Sequence, residues 1–476
     1  MDLSEKIRKP RAGLLLIASP RFKNISGPKK GSYGQKKDDV AKHILSTLDF
    51  LDVTFPGIVY EREDAEKAMD AYYNAKVDFI IAEFLSWSED FAWIRFLRDC
   101  PDIPILFTNI AKERMAFETT LDEDDFVEYL CSGTLVGSLE ASGSIRRSHR
   151  KGVKIVMGTR PQITEEIRSF SRAAYARTVL RNSNVGLMAN MNEAMWSTYI
   201  DNYDLFTKIG PEIHYLPSSD YKETLDSLTD KEVTEYADSL TERYRMMDDV
   251  EKEKFIGCVR ASLALKKMAQ ERDIDVMVYN DIDPSTFKVS GCRAGFYHDW
   301  FNENLSVLVP EADMGAGLAT YVLKLISKGH VNFIEPFHIE DDFETFAGGH
   351  AGPNDPKWKD NVLIAKDVRF AKTKYKYAGA PFGWYRFSPG KKTVTGIFEE
   401  DGHYKMVCFM AESLPGDHIL ATYSHSIFRP EVPVKDLFER ILKIGVTQHY
   451  AITDGDWRKE LGEFAEIMGF EFYDIR

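Results

Sequence analysis

The chain has 476 residues, of which 44% are hydrophobic and 12% aromatic, a composition typical of a globular protein with two or three domains. Its formal net charge of −14 excludes the extended basic surface that nucleic acid requires, so we expect no nucleic-acid partner. The five cysteines form no Cys-x-x-Cys pair. The charged segment 1–6 is not followed by the long apolar run of a signal sequence, and no apolar run reaches the roughly 18 residues of a membrane helix. We therefore expect a cytoplasmic protein without a membrane partner.

The first third of the chain alternates short apolar strands with amphipathic helices. Strands are predicted at 13–18, 77–82 and 103–107, with helices at 38–51, 64–76, 89–98 and 162–180. This alternation is typical of a parallel sheet covered by helices. A new strand at 184–188 follows the long helix, so we place the first α/β domain at residues 1–178.

A second α/β unit follows, and the rhythm then changes to β. The pattern predicts helical regions at 195–208, 229–270 and 317–326 and a strand at 276–279. Beyond residue 330 short strands dominate, and Asp401-Gly402 between two of them indicates a tight hairpin. We predict an α/β fold, with two doubly wound parallel-sheet domains at 1–178 and 179–328 followed by a β-rich, barrel-like domain at 329–476.

Two glutamates and two histidines in the second half stand beside Gly or Pro or at the edge of a predicted strand. They are Glu311 in Val-Pro-Glu-Ala-Asp, Glu335 directly after the predicted apolar strand 331–334 and before Pro, His350 after Gly-Gly, and His449 before the apolar run 450–452. Carboxylate and imidazole together suit a divalent ion such as Mn²⁺. A glutamate at such an ion can also move protons.

Each of these residues alone has an ordinary structural explanation. A glutamate near a proline is usually a surface or helix-capping residue, and a histidine after two glycines is usually a loop residue. The position of these four residues at turns and strand ends favours a ligand-binding site, because α/β proteins and barrels bind their ligands at the ends of strands.

The motifs together resemble those of the L-arabinose isomerase family, within a wider group of L-arabinose and L-fucose isomerase-like sugar isomerases. The resemblance lies in Pro-Glu-Ala-Asp followed by small residues and Leu, the Phe-x-Glu strand, the Gly-His-Ala-Gly loop and the final Gly-x-x-x-His. It implies a Mn²⁺ site, or a site for another divalent cation, at Glu311, Glu335, His350 and His449. It also implies that Glu311 and Glu335 act in proton transfer.

The implied activity is isomerisation of a free sugar between aldose and ketose through an enediol, in a homotrimer or homohexamer. In the resembling family, the amino-terminal domain of one subunit covers the site of its neighbour. Two other classes of function remain open: a metal-dependent epimerase or hydrolase with the same ligands, and a non-catalytic sugar-binding protein.

The loop after the first strand and the residue before His449 supply candidate substrate contacts. The segment 27–35 is rich in Gly and Lys but lacks the spacing of a phosphate-binding loop. Because such a loop lies beyond the carboxyl end of the strand, Arg21, Lys29 or Lys30 could contact a ligand. Gln448, beside His449, is the other candidate.

Overall fold

The computed structural model describes residues 3–27, 31–112, 114, 122–356, 362–369, 379–421 and 423–476. They form two compact units. The amino-terminal unit comprises Arg8–Thr178 and Glu466–Gly469, and the larger unit comprises Met1–Ile7, Val179–Ala465 and Phe470–Arg476. The predicted division into three domains stays a prediction. A short helix, α1 (Leu3–Ile7), belongs to the larger unit.

The amino-terminal unit is built on a parallel sheet. Its strands are β1 (Arg11–Ile17), β2 (Ser26–Gly27), β3 (Gly31–Ser32), β4 (Asp52–Thr54), β5 (Phe79–Phe84), β6 (Ile105–Ile110) and β7 (Val153–Gly158). Five of them form the sheet in the order β4-β1-β5-β6-β7, all parallel, while β2 and β3 pair as a small hairpin. Leu14 to Ile17 are all buried, as expected for a strand that is covered on both faces.

Helices connect these strands and bury their apolar sides on the sheet. They are α2 (Tyr33–Ser46), α3 (Arg62–Ala75), α4 (Asp90–Asp99), α5 (Glu123–Cys131), α6 (Thr134–Arg147) and α7 (Arg160–Arg181). The aromatic core between α4 and the sheet contains Trp93, Phe96 and Phe107, with Trp93 and Phe96 stacked 5.9 Å apart. The alternation predicted for this third of the chain is confirmed.

The larger unit contains a second parallel sheet. The next strands are β8 (Asn184–Met188), β9 (Glu212–Leu216), β10 (Arg245–Met246), β11 (Val276–Tyr279) and β12 (Val307–Val309). Four of them form the sheet β12-β11-β8-β9, all parallel. The carboxyl ends of β8, β11 and β12 therefore meet at one edge, and the residues that follow those strands include Glu311 and the side chains that bind its backbone.

The helices of this region end with one that is buried on every side. They are α8 (Asn202–Asp204), α9 (Ser218–Ser227), α10 (Asp230–Arg243), α11 (Lys252–Glu271), α12 (Pro284–Ser290), α13 (Trp300–Glu303) and α14 (Met314–Ser327). Helix α14 is buried from Met314 to Ile326, as a helix that is apolar all round should be. It begins beside the candidate site and packs against β11 and β12.

Two predicted helical regions are interrupted. The region 229–270 is not continuous, because the backbone is extended at Tyr244 and Arg245–Met246 forms β10 between α10 and α11. The region 195–208 holds only a 3₁₀ turn (Trp196–Thr198), α8 and the start of a π-helical turn (Leu205–Ile209).

The carboxyl-terminal strands close into a barrel. The remaining strands are β13 (Asn332–Ile339), β14 (Phe346–His350), β15 (Leu363–Lys366), β16 (Pro381–Trp384), β17 (Gly390–Glu400), β18 (His403–Ser413), β19 (Ser424–Pro430), β20 (Tyr450–Asp454) and β21 (Glu471–Ile475). Six strands follow one another as β17-β20-β13-β14-β19-β18, and β18 pairs back with β17, every pair being antiparallel. Strand β21 adds to β18 in parallel, and β10, β15 and β16 form a separate small sheet.

Turn chemistry and flanking helices complete the barrel. Asp401 and Gly402 connect β17 to β18 with φ of +52° and +77°, the signs of a type I′ turn, so the predicted hairpin is confirmed. Helices α15 (Val434–Ile444) and α16 (Arg458–Met468) follow β19 and β20, and α14 packs on β17 and β20. The predicted fold class, parallel α/β sheets followed by a β-barrel, is confirmed.

Among the residues that the structure describes, no helix combines the length and apolar character needed to cross a membrane.

Candidate metal centre

Glu311 lies on the connection between β12 and α14, in a backbone conformation that few residues adopt. Glu311 and Ala312 have φ of +63° and +56°, a left-handed conformation that costs roughly 1–2 kcal/mol per residue. Hydrogen bonds hold it there. The Glu311 amide donates to Asp281 Oδ1 at 2.9 Å, and its carbonyl accepts from Asn192 Nδ2 at 2.9 Å. Strain that the surroundings hold in place is typical of functional sites.

The two histidines come from barrel strands on either side of β13. His350 is the last residue of β14, and His449 immediately precedes β20. Strand β13 pairs with both, with Glu335 opposite Gly349 and Ile334 opposite Tyr450. This register brings both histidines beside Glu335 although about 100 residues separate them in sequence.

Gly349 is required by the close approach of two strands. A Cβ atom at this position would lie 2.0 Å from the carbonyl oxygen of Ser424 and 2.7 Å from the Cα of His425, both on β19. The glycine therefore lets β14 pack tightly on β19 and fixes the strand end that presents His350.

Three of the four predicted ligands converge. Glu311 Oε1 lies 3.3 Å from His350 Nε2, and Glu311 Oε2 lies 3.2 Å from His449 Nε2. One ligand atom from each residue lies within 4.8 Å of the others, and all three residues are buried. The group Glu311, His350 and His449 could hold a divalent cation.

Glu335 lies at the rim of this group. Its Oε2 is 4.0 Å from His449 Nε2, and 24% of its side chain is exposed, against 9% for Glu311. We expected Glu335 to follow a strand that ends at Ile334. That expectation is wrong, because β13 continues to Ile339 through an irregularity between Pro336 and His338. Such a bulge lets a proline lie within a strand.

In each histidine Nδ1, the nitrogen that faces away from Glu311, is fixed by a hydrogen bond. His449 Nδ1 lies 2.8 Å from Asp313 Oδ2, and His350 Nδ1 lies 2.6 Å from the carbonyl oxygen of Ala351. A carbonyl can only accept, so His350 carries a proton on Nδ1, and its Nε2 is the nitrogen that faces Glu311. Partners of this kind orient the histidines of metal sites.

The electrostatics of the group are dominated by its own members. Burial alone would raise the pKa of the Glu311 carboxyl, but His350 and His449 outweigh it and hold that pKa well below its usual range. Burial alone would lower the pKa of His449, but the hydrogen-bonded Asp313 and the nearby Glu311 carboxylate raise it to about 10. The carboxylate therefore stays charged in this buried position.

One nitrogen shows that the group suits an ion. Nε2 of His449 is buried and has no hydrogen-bond partner among the described residues, although Glu311 is close. A buried polar atom without a partner is costly, and a bound cation would supply the missing partner. Two imidazoles and a carboxylate form a borderline ligand set that first-row divalent metals accept.

The predicted substrate contacts Arg21 and Gln448 belong to different units of the chain. Arg21 is exposed in the amino-terminal unit, where it pairs with Glu89 at 2.7 Å and lies over the Trp87 ring. Gln448 lies next to His449, and its Nε2 contacts the sulfur of Met195 at 3.0 Å. Lys29 and Lys30 lie outside the described residues.

Sequence reasoning missed the residues that hold the ligands in place. Asp313 was visible within the Pro-Glu-Ala-Asp motif, but the sequence did not show that it both caps α14, through Ala316 N–H, and bonds His449. Asp281 follows the end of β11, so its position at a strand end was an available signal. No local sequence pattern indicated the role of Asn192, which holds the carbonyl of Glu311.

Comparison with known protein families found no family that matches this chain, and a search of curated proteins found no match either.

Proposed function

We propose that the protein is a metal-dependent aldose–ketose isomerase that acts on a free sugar through an enediol, similar to L-arabinose isomerases. The observation that carries the proposal is the buried Glu311, His350 and His449 group, with Glu335 beside it. The motif resemblance supports the reaction class. A bound divalent ion, Mn²⁺ in the resembling family, would polarise the carbonyl and hydroxyl oxygens of the sugar.

The two glutamates are suited to different tasks. Glu311 is buried and its pKa is held low by two histidines, so it is suited to remain an anion and a ligand. Glu335 is the more exposed carboxylate, which suits it to accept a proton from the sugar carbon and return it to the neighbouring carbon. In this proposal Glu335 moves the proton between the two sugar carbons, and Glu311 acts on the sugar oxygens through the ion that it binds.

His350 and His449 hold the site in shape. Their outer nitrogens are fixed by Ala351 and Asp313, so their Nε2 atoms stay directed at Glu311. Phe333 packs against both rings, with centroids 4.7 Å and 4.4 Å away, and limits their rotation. Gln448 is proposed to contact the sugar because it neighbours His449. Arg21 is proposed as a second contact because its loop follows the carboxyl end of β1, where α/β proteins bind ligands.

The decisive experiment combines metal analysis with a substrate screen. Purified protein is analysed for bound metal, stripped with a chelator, reloaded with Mn²⁺ and incubated with free pentoses and hexoses. We expect about one ion per chain and ketose formation that depends on the ion. Epimer formation, or hydrolysis of a glycoside, would favour the alternative enzyme classes, and sugar binding without turnover would favour a non-catalytic protein. Full activity in protein without metal would refute the metal site.

We also propose that the protein is a cytoplasmic homotrimer or homohexamer. All five cysteines are free, and four of them are buried, which is consistent with a reducing compartment. The oligomer is the one that the family resemblance implies. Light scattering at micromolar concentration tests it, and a monomer would contradict it.

A further inference from the structure

We infer that Arg293 and Asp281 are positioning residues that set two metal ligands, Glu311 and His350, relative to each other. This inference rests on the metal site of the proposed function. Neither residue belongs to the group of ligand atoms that lie within 4.8 Å of one another. They act through backbone groups on two separate loops, one after β12 and one after β14.

The contacts form one continuous chain. Asp281 Oδ1 accepts from the Glu311 amide at 2.9 Å, and Arg293 Nε donates to Asp281 Oδ2 at 2.7 Å. Arg293 Nη2 also donates to Asp281, and to the carbonyl oxygen of Ala351 at 3.0 Å. That same carbonyl accepts from His350 Nδ1. One guanidinium therefore connects the backbone of Glu311 to the ring of His350.

Each end of this chain controls a property that a metal ligand needs. At one end, the bond to Asp281 helps hold Glu311 at a φ of +63°, where its carboxylate reaches both histidines. At the other end, the shared carbonyl fixes the tautomer of His350 and leaves Nε2 free to bind. Arg293 keeps that carbonyl in place.

The surroundings are built to accommodate the pair. The side chains of Arg293 and Asp281 are 4% and 0% exposed. Gly352 lies against them with a φ of +112°, and a Cβ there would come within 2.8 Å of Arg293 Nη2. Asp367 lies 3.5 Å from Arg293 Nη1 and pairs in turn with Arg369, so this group of described residues contains two positive and two negative charges.

Stability alone does not account for such an arrangement. Buried ion pairs often contribute no more than apolar side chains of similar size, because taking the charges out of water is costly. A planar guanidinium is nonetheless well suited to join a carboxylate and a carbonyl at fixed angles. The geometry points to positioning as the role of the pair.

The test compares Arg293→Met with a matched control, Lys6→Met. Lys6 forms a buried ion pair with Asp275, their side chains being 6% and 1% exposed. Asp275 precedes β11 and Asp281 follows it, so the two pairs lie at opposite ends of one strand. Each variant removes the cation from a buried carboxylate in the same unit.

The measurement is the Mn²⁺ dissociation constant, obtained from the electron paramagnetic resonance signal of free Mn²⁺, with thermal melting of the metal-free protein alongside. We expect both variants to melt earlier. Only Arg293→Met should bind Mn²⁺ more weakly, by about 10–100-fold, as when partners of metal ligands are removed. An equal change, or no change, in the two dissociation constants would overturn the inference.

A second variant keeps the test decisive if Arg293→Met does not fold. Arg293→Lys retains the charge between Asp281 and Asp367 but loses the planar fork. We expect it to fold and to bind Mn²⁺ at least tenfold more weakly, and wild-type affinity in folded Arg293→Lys would refute positioning by the guanidinium. If the wild-type protein itself binds no Mn²⁺, the metal site of the proposed function fails as well. Absence of sugar turnover would leave the inference unaffected.

Discussion

The variant Asp313→Asn separates two roles of Asp313, which orients the candidate metal ligand His449 and caps helix α14. Asp313 Oδ1 accepts from the Ala316 amide at 2.8 Å and caps α14, while Oδ2 lies 2.8 Å from His449 Nδ1. Asn caps helices as well as Asp does, so its oxygen can keep the first bond. Its amide group then faces Nδ1 and replaces an acceptor with a donor. In the neutral imidazole that binds a metal, the proton of His449 must then lie on Nε2, the nitrogen directed at Glu311.

The magnitude follows from the loss of that nitrogen as a ligand. Changing a partner of a metal-bound histidine typically weakens metal binding about 10–100-fold, or about 1.4–2.7 kcal/mol. At a Mn²⁺ concentration 100 times the wild-type dissociation constant, the ion stabilises the wild-type protein by about 2.7 kcal/mol. In Asp313→Asn the same concentration should stabilise the protein by only about 0.4–1.4 kcal/mol.

The assay is urea unfolding with and without Mn²⁺ at that fixed concentration. Asp283→Asn serves as the control, because Asp283 caps α12 by accepting from Ser285 N–H at 3.1 Å. The control should keep the full stabilisation by Mn²⁺. If folded Asp313→Asn gains as much stability from Mn²⁺ as the wild-type protein does, Asp313 does not set the tautomer of His449.

Three further predictions concern the proton carrier, the pH range and one glycine. Glu335→Gln should lower turnover of the sugar identified by the screen by ~10²–10⁴-fold while changing the free energy of unfolding by only about 0.5 kcal/mol; near-wild-type turnover would contradict the mechanism. Burial lowers the pKa of both His298 and His425 to about 4, so the unfolded chain binds more protons below pH 6.5. The part of the stability that these two histidines control should be full above that pH and fall toward pH 4. Urea unfolding of His298→Asn should show a smaller fall over that range, and an equal fall would contradict the prediction. Gly349→Ala should destabilise the protein by about 1–3 kcal/mol and weaken Mn²⁺ binding, because the Cβ would lie 2.0 Å from the carbonyl oxygen of Ser424. An unchanged melting temperature would mean that β19 moves aside without cost and would contradict the prediction.

The sequence predicted those features whose signal is local. Apolar runs such as Leu14 to Ile17 mark strands covered on both faces, and the Asp401-Gly402 pair marks a type I′ hairpin, so the fold class could be predicted. Three ligands stand out because turns and strand ends place Gly or Pro beside Glu311 and His350 and an apolar strand directly after His449.

The features that could not be predicted depend on contacts distant in sequence. Pro336 indicated the end of a strand, but the bulge that accommodates it depends on pairing with β14. The break between α10 and α11 depends on pairing of Arg245–Met246 with Leu363 and Ile364, more than a hundred residues away. Arg293 reaches Ala351 across 58 positions, and no local pattern announces such a bond.

The ligands of the candidate site come from two different layers of the larger unit. Glu311 belongs to the connection that leaves the parallel sheet, whereas His350 and His449 belong to the barrel, and α14 packs against both layers. An ion held by all three would bind only where both layers are folded and correctly placed. Its binding energy would then oppose the separate unfolding of either layer. The amide hydrogens of the sheet and of the barrel would therefore exchange in one cooperative unfolding transition. Such an ion would act as a reversible cross-link between the parallel sheet and the barrel.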